Sequence, residues 1–262
     1  MLTIGIIGGG NMGSAILSRI RNHFRVAVWE KDPQRRAWLR RRFPTALQDL
    51  NSLVASAQVL VLAVKPQDFD ALLREVKETI STRSMVVSIA AGITTRYIEK
   101  RLSSGIRVIR TMPNLPVLVG QGITAICKGR YARDRDVQLA CRILNHMGQT
   151  VVVPEGWLDA VTVVSGSGPG YVFLFVECLE KAACQLGLKP EVAQKLIKAT
   201  LMGSAQLYMQ QKELAATLRS KVTSQGGTTE AAMRVFFKRK IDQIFRDALW
   251  AAHRRAKELS KS

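Results

Sequence analysis

The beginning of the chain carries a glycine-rich pattern suited to binding a nucleotide. Residues 4–13 place Gly8, Gly10 and Gly13 in the order G-x-G-x-x-G, between a strand-like apolar run and a helix-like segment. The first glycine permits a tight turn, the second lets backbone N–H groups approach a pyrophosphate, and the third allows close helix packing. A helix N-terminus also favours negative charge. The pattern predicts a dinucleotide site that comprises Gly8, Gly9, Gly10, Asn11, Met12 and Gly13.

The residues after the second strand-like run bear on which dinucleotide is bound. Glu30 lies about 20 residues beyond the glycines, where an acid that binds the adenosine ribose is expected, and it favours NADH. Lys31, Arg35 and Arg36 follow closely and could instead bind the 2′-phosphate of NADPH. The sequence leaves the choice between NADH and NADPH open.

A second segment rich in glycine and hydroxyl groups lies far downstream, at residues 220–229. Ser224 and the N–H groups of Gly226, Gly227 and Thr228 could form a nest that binds an anion. Thr228 and Thr229 could equally cap a helix over residues 230–237. The two roles are compatible.

The order of predicted elements indicates an α/β fold followed by a helical one. Strand-like runs at residues 26–29, 59–64, 85–89 and 107–109 alternate with helical patterns, as in a doubly wound parallel sheet of Rossmann type. Beyond Pro154 the pattern predicts only long helices, at residues 171–186, 190–210 and 240–259. We therefore predict a dinucleotide-binding domain over residues 1–154 and a helical domain over residues 155–262. The small residues and prolines at 63–66, 90–92 and 110–116 follow strands, where they would shape the nicotinamide site.

Composition and charge bear on the partners, metal sites and cellular compartment that are expected for this protein. The net charge is +19, but the basic clusters lie on helix-like segments without interleaved aromatic residues, so we expect a solvated basic surface and no nucleic-acid partner. Four cysteines lack Cys-x-x-Cys spacing, which favours reduced thiols over a metal site or disulfides. We expect neither a leader peptide nor a membrane span, and hence a cytoplasmic protein.

A stripe of apolar residues predicts a helix buried against a second subunit: Phe173, Leu174, Val176, Leu179 and Ala183.

Five motifs together resemble the pyrroline-5-carboxylate reductase family. They occur in order, as Ala-Val-Lys-Pro at 63–66, Ala-Ala-Gly at 90–92, Arg-x-Met-Pro-Asn-x-Pro at 110–116, Ser-Gly-Ser-Gly-Pro at 165–169 and Ser-x-Gly-Gly-Thr-Thr at 224–229. The resemblance implies an NAD(P)H-dependent reductase that makes L-proline in the last step of proline biosynthesis. It also implies a C-terminal dimerisation domain, dimers that can assemble into rings, and a substrate site between the domains.

The resemblance also assigns residues. The cofactor would be held by the glycine-rich loop together with Ala63, Val64, Lys65, Pro66, Ile89, Ala90 and Ala91, and the substrate by Glu155, Thr228 and Thr229. Thr229 would be catalytic, its hydroxyl reaching the ring nitrogen of the cyclic imine. The chain departs from the family at Gln225, Gly170 and Ser220, which stand where proline, alanine and aspartate are usual; the first loosens the substrate loop.

Two other functions remain as rivals. One is a related imine or β-hydroxyacid reductase with a different substrate. The other is an inactive paralogue that binds nucleic acid through its basic surface.

Overall fold

The structure is a computed structural model that describes residues 1–44 and 46–261, so the final residue of the predicted helical domain lies outside it. The chain divides into two compact units. The first comprises Met1–Pro169 and the residues from Ala252 onward, and the second comprises Gly170–Ala251.

The first unit contains a seven-stranded sheet in the order β2-β1-β3-β4-β5-β6-β7. The strands are β1 (Thr3–Ile7), β2 (Arg25–Trp29), β3 (Val59–Leu62), β4 (Met85–Ser88), β5 (Arg107–Pro113), β6 (Gly122–Lys128) and β7 (Gly148–Val152). The helices are α1 (Asn11–Ile20), α2 (Pro33–Arg42), α3 (Leu50–Ser56), α4 (Phe69–Val76), α5 (Thr95–Arg101), α6 (Asp134–Leu144) and the short α7 (Leu158–Val161). The Rossmann-type fold predicted from the sequence is confirmed.

One strand pair of the sheet is antiparallel, and it involves a strand that the sequence analysis did not predict. Strands β1 to β5 pair in parallel, but β6 runs antiparallel to β5, with Thr111 opposite Ile126. A 3-10 turn at Leu115–Val119 and a left-handed Gly120 reverse the chain between them. This connection is too short for the crossover of a dozen or more residues that a parallel pair needs.

Core residues cover both faces of the sheet because successive strand side chains point to opposite sides. Ile4 and Ile6 of β1 belong to a buried cluster with residues of α1 and α6. Ile7 belongs to a second cluster with residues of α3 and α4. Several helices on these faces begin with side-chain caps; for example, Asp32 accepts a hydrogen bond from the Arg35 N–H at 2.6 Å. The carboxyl ends of the strands are thereby fixed in a well-packed frame.

The second unit is helical. It carries most of α8 (Gly168–Gln185), then α9 (Pro190–Gln210), α10 (Ala215–Lys221), α11 (Thr228–Lys238) and the first part of α12 (Ile241–Lys261). Within residues 170–251 Ala193 alone is buried. Phe173 and Leu174 are 60% and 59% exposed in the single chain, and Val176 and Ala183 are partly buried, so the described residues leave much of the apolar stripe predicted from the sequence uncovered.

By length and composition alone, the helical stretch Glu155–Gln185 would be able to cross a membrane. Length and composition alone do not establish a span, and the expectation that the chain has none stays a prediction. A helix that packs against another copy of a protein meets the same criterion, because it too is long and rich in apolar residues.

Candidate functional site

The glycine-rich loop joins β1 to α1 in a conformation that depends on its glycines. Gly8 has a φ of +102°, and its N–H donates to the Trp29 carbonyl at 2.8 Å. A Cβ on Gly13 would lie 1.9 Å from the Gly8 carbonyl oxygen, so only glycine permits this approach of helix to loop. A Cβ on Gly10 would meet no heavy atom within 4 Å. The loop is thus closely packed at Gly8 and Gly13 and open in front of Gly10.

A cavity of about 460 Å³ lies at this open face. It is lined by Gly8, Gly10, Trp29, Glu30, Lys31, Asp32, Ala63, Val64, Lys65, Gln67 and Asp68. Six of the residues predicted to bind the cofactor meet here: Gly8, Gly10, Glu30, Ala63, Val64 and Lys65. Sequence reasoning missed Trp29, Asp32, Gln67 and Asp68, although their positions at the end of β2 and shortly after β2 and β3 could have indicated them.

The remaining predicted cofactor residues surround the cavity without lining it. Gly9 and Gly13 complete the loop, and Met12 packs against the core. Pro66 begins a 3-10 turn after β3. The Ile89 N–H donates to the Leu62 carbonyl at 3.2 Å, which places residues 89–91 beside the end of β3. Asn11 is the first residue of α1.

Glu30 is held by backbone groups. Its Oε2 accepts from the Gly9 N–H at 2.7 Å and its Oε1 from the Asp32 N–H at 2.9 Å. Lys31 forms an ion pair with Asp68, with 2.6 Å between Nζ and Oδ1. Arg35 donates from Nε to the Gly9 carbonyl at 2.7 Å. These charged side chains form one wall of the cavity and the support behind its glycine loop.

Glu155, predicted to contact the substrate, is engaged in a separate polar cluster of the first unit. Its carboxylate accepts from the Thr95 N–H at 2.8 Å, the Thr95 hydroxyl at 2.7 Å and Arg110 Nη1 at 3.1 Å. Burial, with a smaller effect from the negative charge of Glu155, raises the pKa of the nearby Cys127 thiol to about 12. Cys127 is therefore an inert thiol at neutral pH.

The loop at residues 224–229 lies in the second unit, between α10 and α11. Gly226 has a φ of +71°, and its N–H donates to the Glu230 carboxylate at 2.7 Å. The Gly227 N–H donates to the Ser224 carbonyl at 3.0 Å. This turn therefore already holds one carboxylate, that of Glu230.

The predicted threonine cap is wrong. Gly227 is the N-cap of α11, no side chain caps this helix, and Thr228 and Thr229 are its first two residues. Their hydroxyls are consequently not used to begin the helix.

The described residues contain no group of three or more His, Cys, Asp or Glu side chains placed to hold a metal ion. A parallel sheet with a glycine-rich loop and a cavity at the carboxyl ends of its strands defines a dinucleotide-binding protein.

Comparisons with known proteins identify the family. A family model described as NADP oxidoreductase, coenzyme F420-dependent, matches residues 3–92, and one described as pyrroline-5-carboxylate reductase dimerisation matches residues 155–259. Pyrroline-5-carboxylate reductases of Synechocystis and Mycobacterium leprae are 38% and 34% identical to the chain; each alignment covers 99% of the chain and 99% and 97% of the relative, respectively. The chain belongs to the pyrroline-5-carboxylate reductase family.

Solved structures agree with this assignment. A pyrroline-5-carboxylate reductase from Coxiella burnetii is 35% identical, with a TM-score of 0.89 over 99% of this chain and 98% of that one. A Plasmodium falciparum pyrroline carboxylate reductase with NADP bound is 25% identical, with a TM-score of 0.88 over 99% and 98% of the two chains. The resemblance inferred from the five motifs is confirmed.

Proposed function

We propose that this protein catalyses the NAD(P)H-dependent reduction of 1-pyrroline-5-carboxylate to L-proline, the last step of proline biosynthesis. The observation that carries this is the full-length similarity to reductases of that name, together with a glycine-lined cavity at the strand ends. The family also supports a homo-oligomer, since its dimerisation model covers the helical part of the chain.

The cavity fits a dinucleotide. The open space in front of Gly10 lets a pyrophosphate approach the backbone N–H groups at the start of α1, where the helix dipole favours its charge. Ala63, Val64 and Lys65 would flank the cofactor, and residues 89–91 would extend this wall toward the nicotinamide. When bound, the reduced nicotinamide supplies a hydride to the carbon of the C=N bond.

The substrate would be held by the loop at residues 224–229. The Gly226 N–H already donates to the Glu230 carboxylate, which supports a role for this turn in binding the carboxylate of pyrroline-5-carboxylate. Thr229 would place its hydroxyl near the ring nitrogen, where it can stabilise the developing amine. Glu155 would contact the substrate, with its carboxylate held by hydrogen bonds from Thr95 and Arg110.

The exposed helices of the second unit would be covered by a second copy of the chain. Phe173, Leu174 and Phe175 are each more than half exposed, and removing this apolar surface from water favours association. We propose a dimer formed through these helices, a ring of dimers as the larger assembly, and the cytoplasm as its location. The basic surface would attract anionic metabolites without binding nucleic acid.

The test is turnover by the purified protein with NADPH and with NADH. Consumption of the cofactor should require pyrroline-5-carboxylate, and L-proline should appear in equal amount. Turnover of β-hydroxyacids or of other cyclic imines in its place would favour the related reductase. An oligonucleotide shift at about 0.15 M salt, without turnover, would favour the nucleic-acid-binding paralogue.

A further inference from the structure

The backbone of Gly9, at the centre of the cofactor loop, is held by two charged side chains. Its N–H donates to Glu30 Oε2 at 2.7 Å, and its carbonyl accepts from Arg35 Nε at 2.7 Å. Arg35 also donates from Nη2 to the Ser14 hydroxyl at 2.9 Å, which anchors the guanidinium to the first turns of α1. Two opposite charges thus fix the two successive peptide units that flank the Gly9 Cα.

Both of these side chains are restrained elsewhere as well. Glu30 is buried, and its second oxygen accepts from the Asp32 N–H at 2.9 Å. The Arg35 guanidinium lies 4.0 Å from the centre of the Trp38 ring, a cation–π contact. Arg35 would have to break these charge-assisted hydrogen bonds to reach the ribose of a cofactor, whereas Glu30 is oriented toward the loop by one backbone N–H on each of its carboxylate oxygens. Glu30 and Arg35, two candidates for contacting the ribose 2′ position, are therefore both hydrogen-bonded to the glycine-rich loop.

Arg36, the other basic candidate, is not among the residues that line the cavity. Lys31 differs from Glu30 and Arg35. Its side chain is 61% exposed, it lines the cavity, and its single ion pair in the described structure is with Asp68, which also lines the cavity. An exposed pair of this kind is weak and is readily exchanged for a stronger partner. A phosphate dianion is such a partner for a lysine ammonium.

We infer that Lys31 is the residue that recognises the 2′-phosphate of NADPH, and that Glu30 and Arg35 are positioning residues that hold the Gly9 backbone for either cofactor. The inference rests on the proposed use of NAD(P)H and adds which side chain separates the two forms. Asp68 acts as the counter-charge that Lys31 leaves when NADPH binds. The protein accordingly prefers NADPH.

The test compares the Kd values of NADPH and NADH, measured by fluorescence titration of the purified oligomer. Lys31→Met should raise the Kd of NADPH roughly 10- to 100-fold, the range for one charge-assisted hydrogen bond, and leave that of NADH within about twofold. Asp68→Asn should lower the Kd of NADPH a few-fold. Lys128→Met is the matched control, because Lys128 is also an exposed lysine paired with an aspartate, Asp134, and four strands separate β6 from β2.

Glu30→Gln tests the positioning role. It should weaken the binding of NADPH and NADH by similar factors. It should also lower the Tm of the cofactor-free protein, because a glutamine amide offers one acceptor oxygen where the N–H groups of Gly9 and Asp32 now each have one. Lys31→Met should leave that Tm unchanged. Two results would overturn the inference and indicate that Glu30 binds the ribose. One is a Kd that changes for NADH alone in Glu30→Gln, and the other is an equal rise in the Kd of both cofactors in Lys31→Met.

Turnover of pyrroline-5-carboxylate by the wild type is measured separately. If the wild type binds NADPH with the predicted dependence on Lys31 but does not reduce this substrate, the proposed function fails and the role of Lys31 stands. If it reduces the substrate while Lys31→Met keeps the wild-type ratio of the two Kd values, the role of Lys31 fails alone.

Discussion

Substitution of Gly10 should separate cofactor binding from folding. Gly10 has φ and ψ of −61° and −166°, which any residue can adopt, and a Cβ there meets no heavy atom within 4 Å. The N-cap preference for glycine over alanine costs about 0.5–1 kcal/mol, and the reduced freedom of the unfolded chain offsets about 0.4–1 kcal/mol. The two effects nearly cancel, so Gly10→Ala and the bulkier Gly10→Val should change the free energy of unfolding by less than about 1 kcal/mol.

The same side chains should exclude the cofactor. They fill the space through which a pyrophosphate reaches the backbone N–H groups, and each charge-assisted hydrogen bond lost costs about 1.5–3 kcal/mol. Losing one such bond in Gly10→Ala corresponds to a rise in Kd of roughly 10- to 100-fold, and Gly10→Val should exceed this range. Quenching of Trp29, which lines the cavity, provides the assay for binding, with urea unfolding as the assay for stability.

Gly13→Ala is the matched control within the same loop. Its Cβ would lie 1.9 Å from the Gly8 carbonyl oxygen, so this variant should lose stability, by about 1–3 kcal/mol or more. Wild-type affinity for NADPH in a folded Gly10→Val protein would refute the placement of the pyrophosphate at this loop.

Three further outcomes are expected. Thr229→Ala should lower kcat/KM for pyrroline-5-carboxylate by roughly 10- to 1000-fold and leave the Kd of the cofactor unchanged. Thr228→Ala should lower kcat/KM less, because the backbone N–H of residue 228 remains. Equal turnover in Thr229→Ala and the wild type would contradict the catalytic role. Burial, and to a smaller extent the adjacent His23, lowers the pKa of His146 below its usual 6.5, so the unfolded chain binds more protons and stability should fall as pH drops below about 6.5. Thermal unfolding of His146→Gln should show a smaller loss between pH 7.5 and 5.5, and an identical loss would exclude His146 as a source. Light scattering should give at least a dimer at micromolar concentration, and Leu174→Glu should shift the protein toward monomer; a fully active wild-type monomer would contradict the interface.

Local patterns predicted the elements best where the sequence contains its own boundary signals. The helix predicted over residues 190–210 coincides with α9, because proline favours the first turn and Gly187 ends the preceding helix. The glycine loop was predictable for the same reason, since its conformation follows from a few neighbouring residues. The antiparallel β6 was not, because an apolar run contains no information about strand direction.

The sequence predicted which charged residues lie near the site, but it could not predict which groups they contact. Glu30, Lys31 and Arg35 all follow β2, and the sequence alone made each a candidate for the ribose. What distinguishes the three residues is their contacts with Gly9 and Asp68. These contacts depend on how the loop and the neighbouring strand end are placed in three dimensions. Likewise, the link between Glu155 and Thr95 joins residues that no local pattern connects.

The two compact units differ in how much of their apolar surface is buried within the single chain. This difference bears on how the cofactor and the substrate are held. Buried clusters on both faces of the sheet fix the glycine loop within a single chain. Residues 170–251 bury Ala193 alone and leave large side chains such as Phe236 and Phe237 exposed, so their helices need a second chain to remove this surface from water. The loop at residues 224–229 is attached to two of those helices. We therefore expect the cofactor to bind to the single chain, and the placement of Thr229 to depend on assembly.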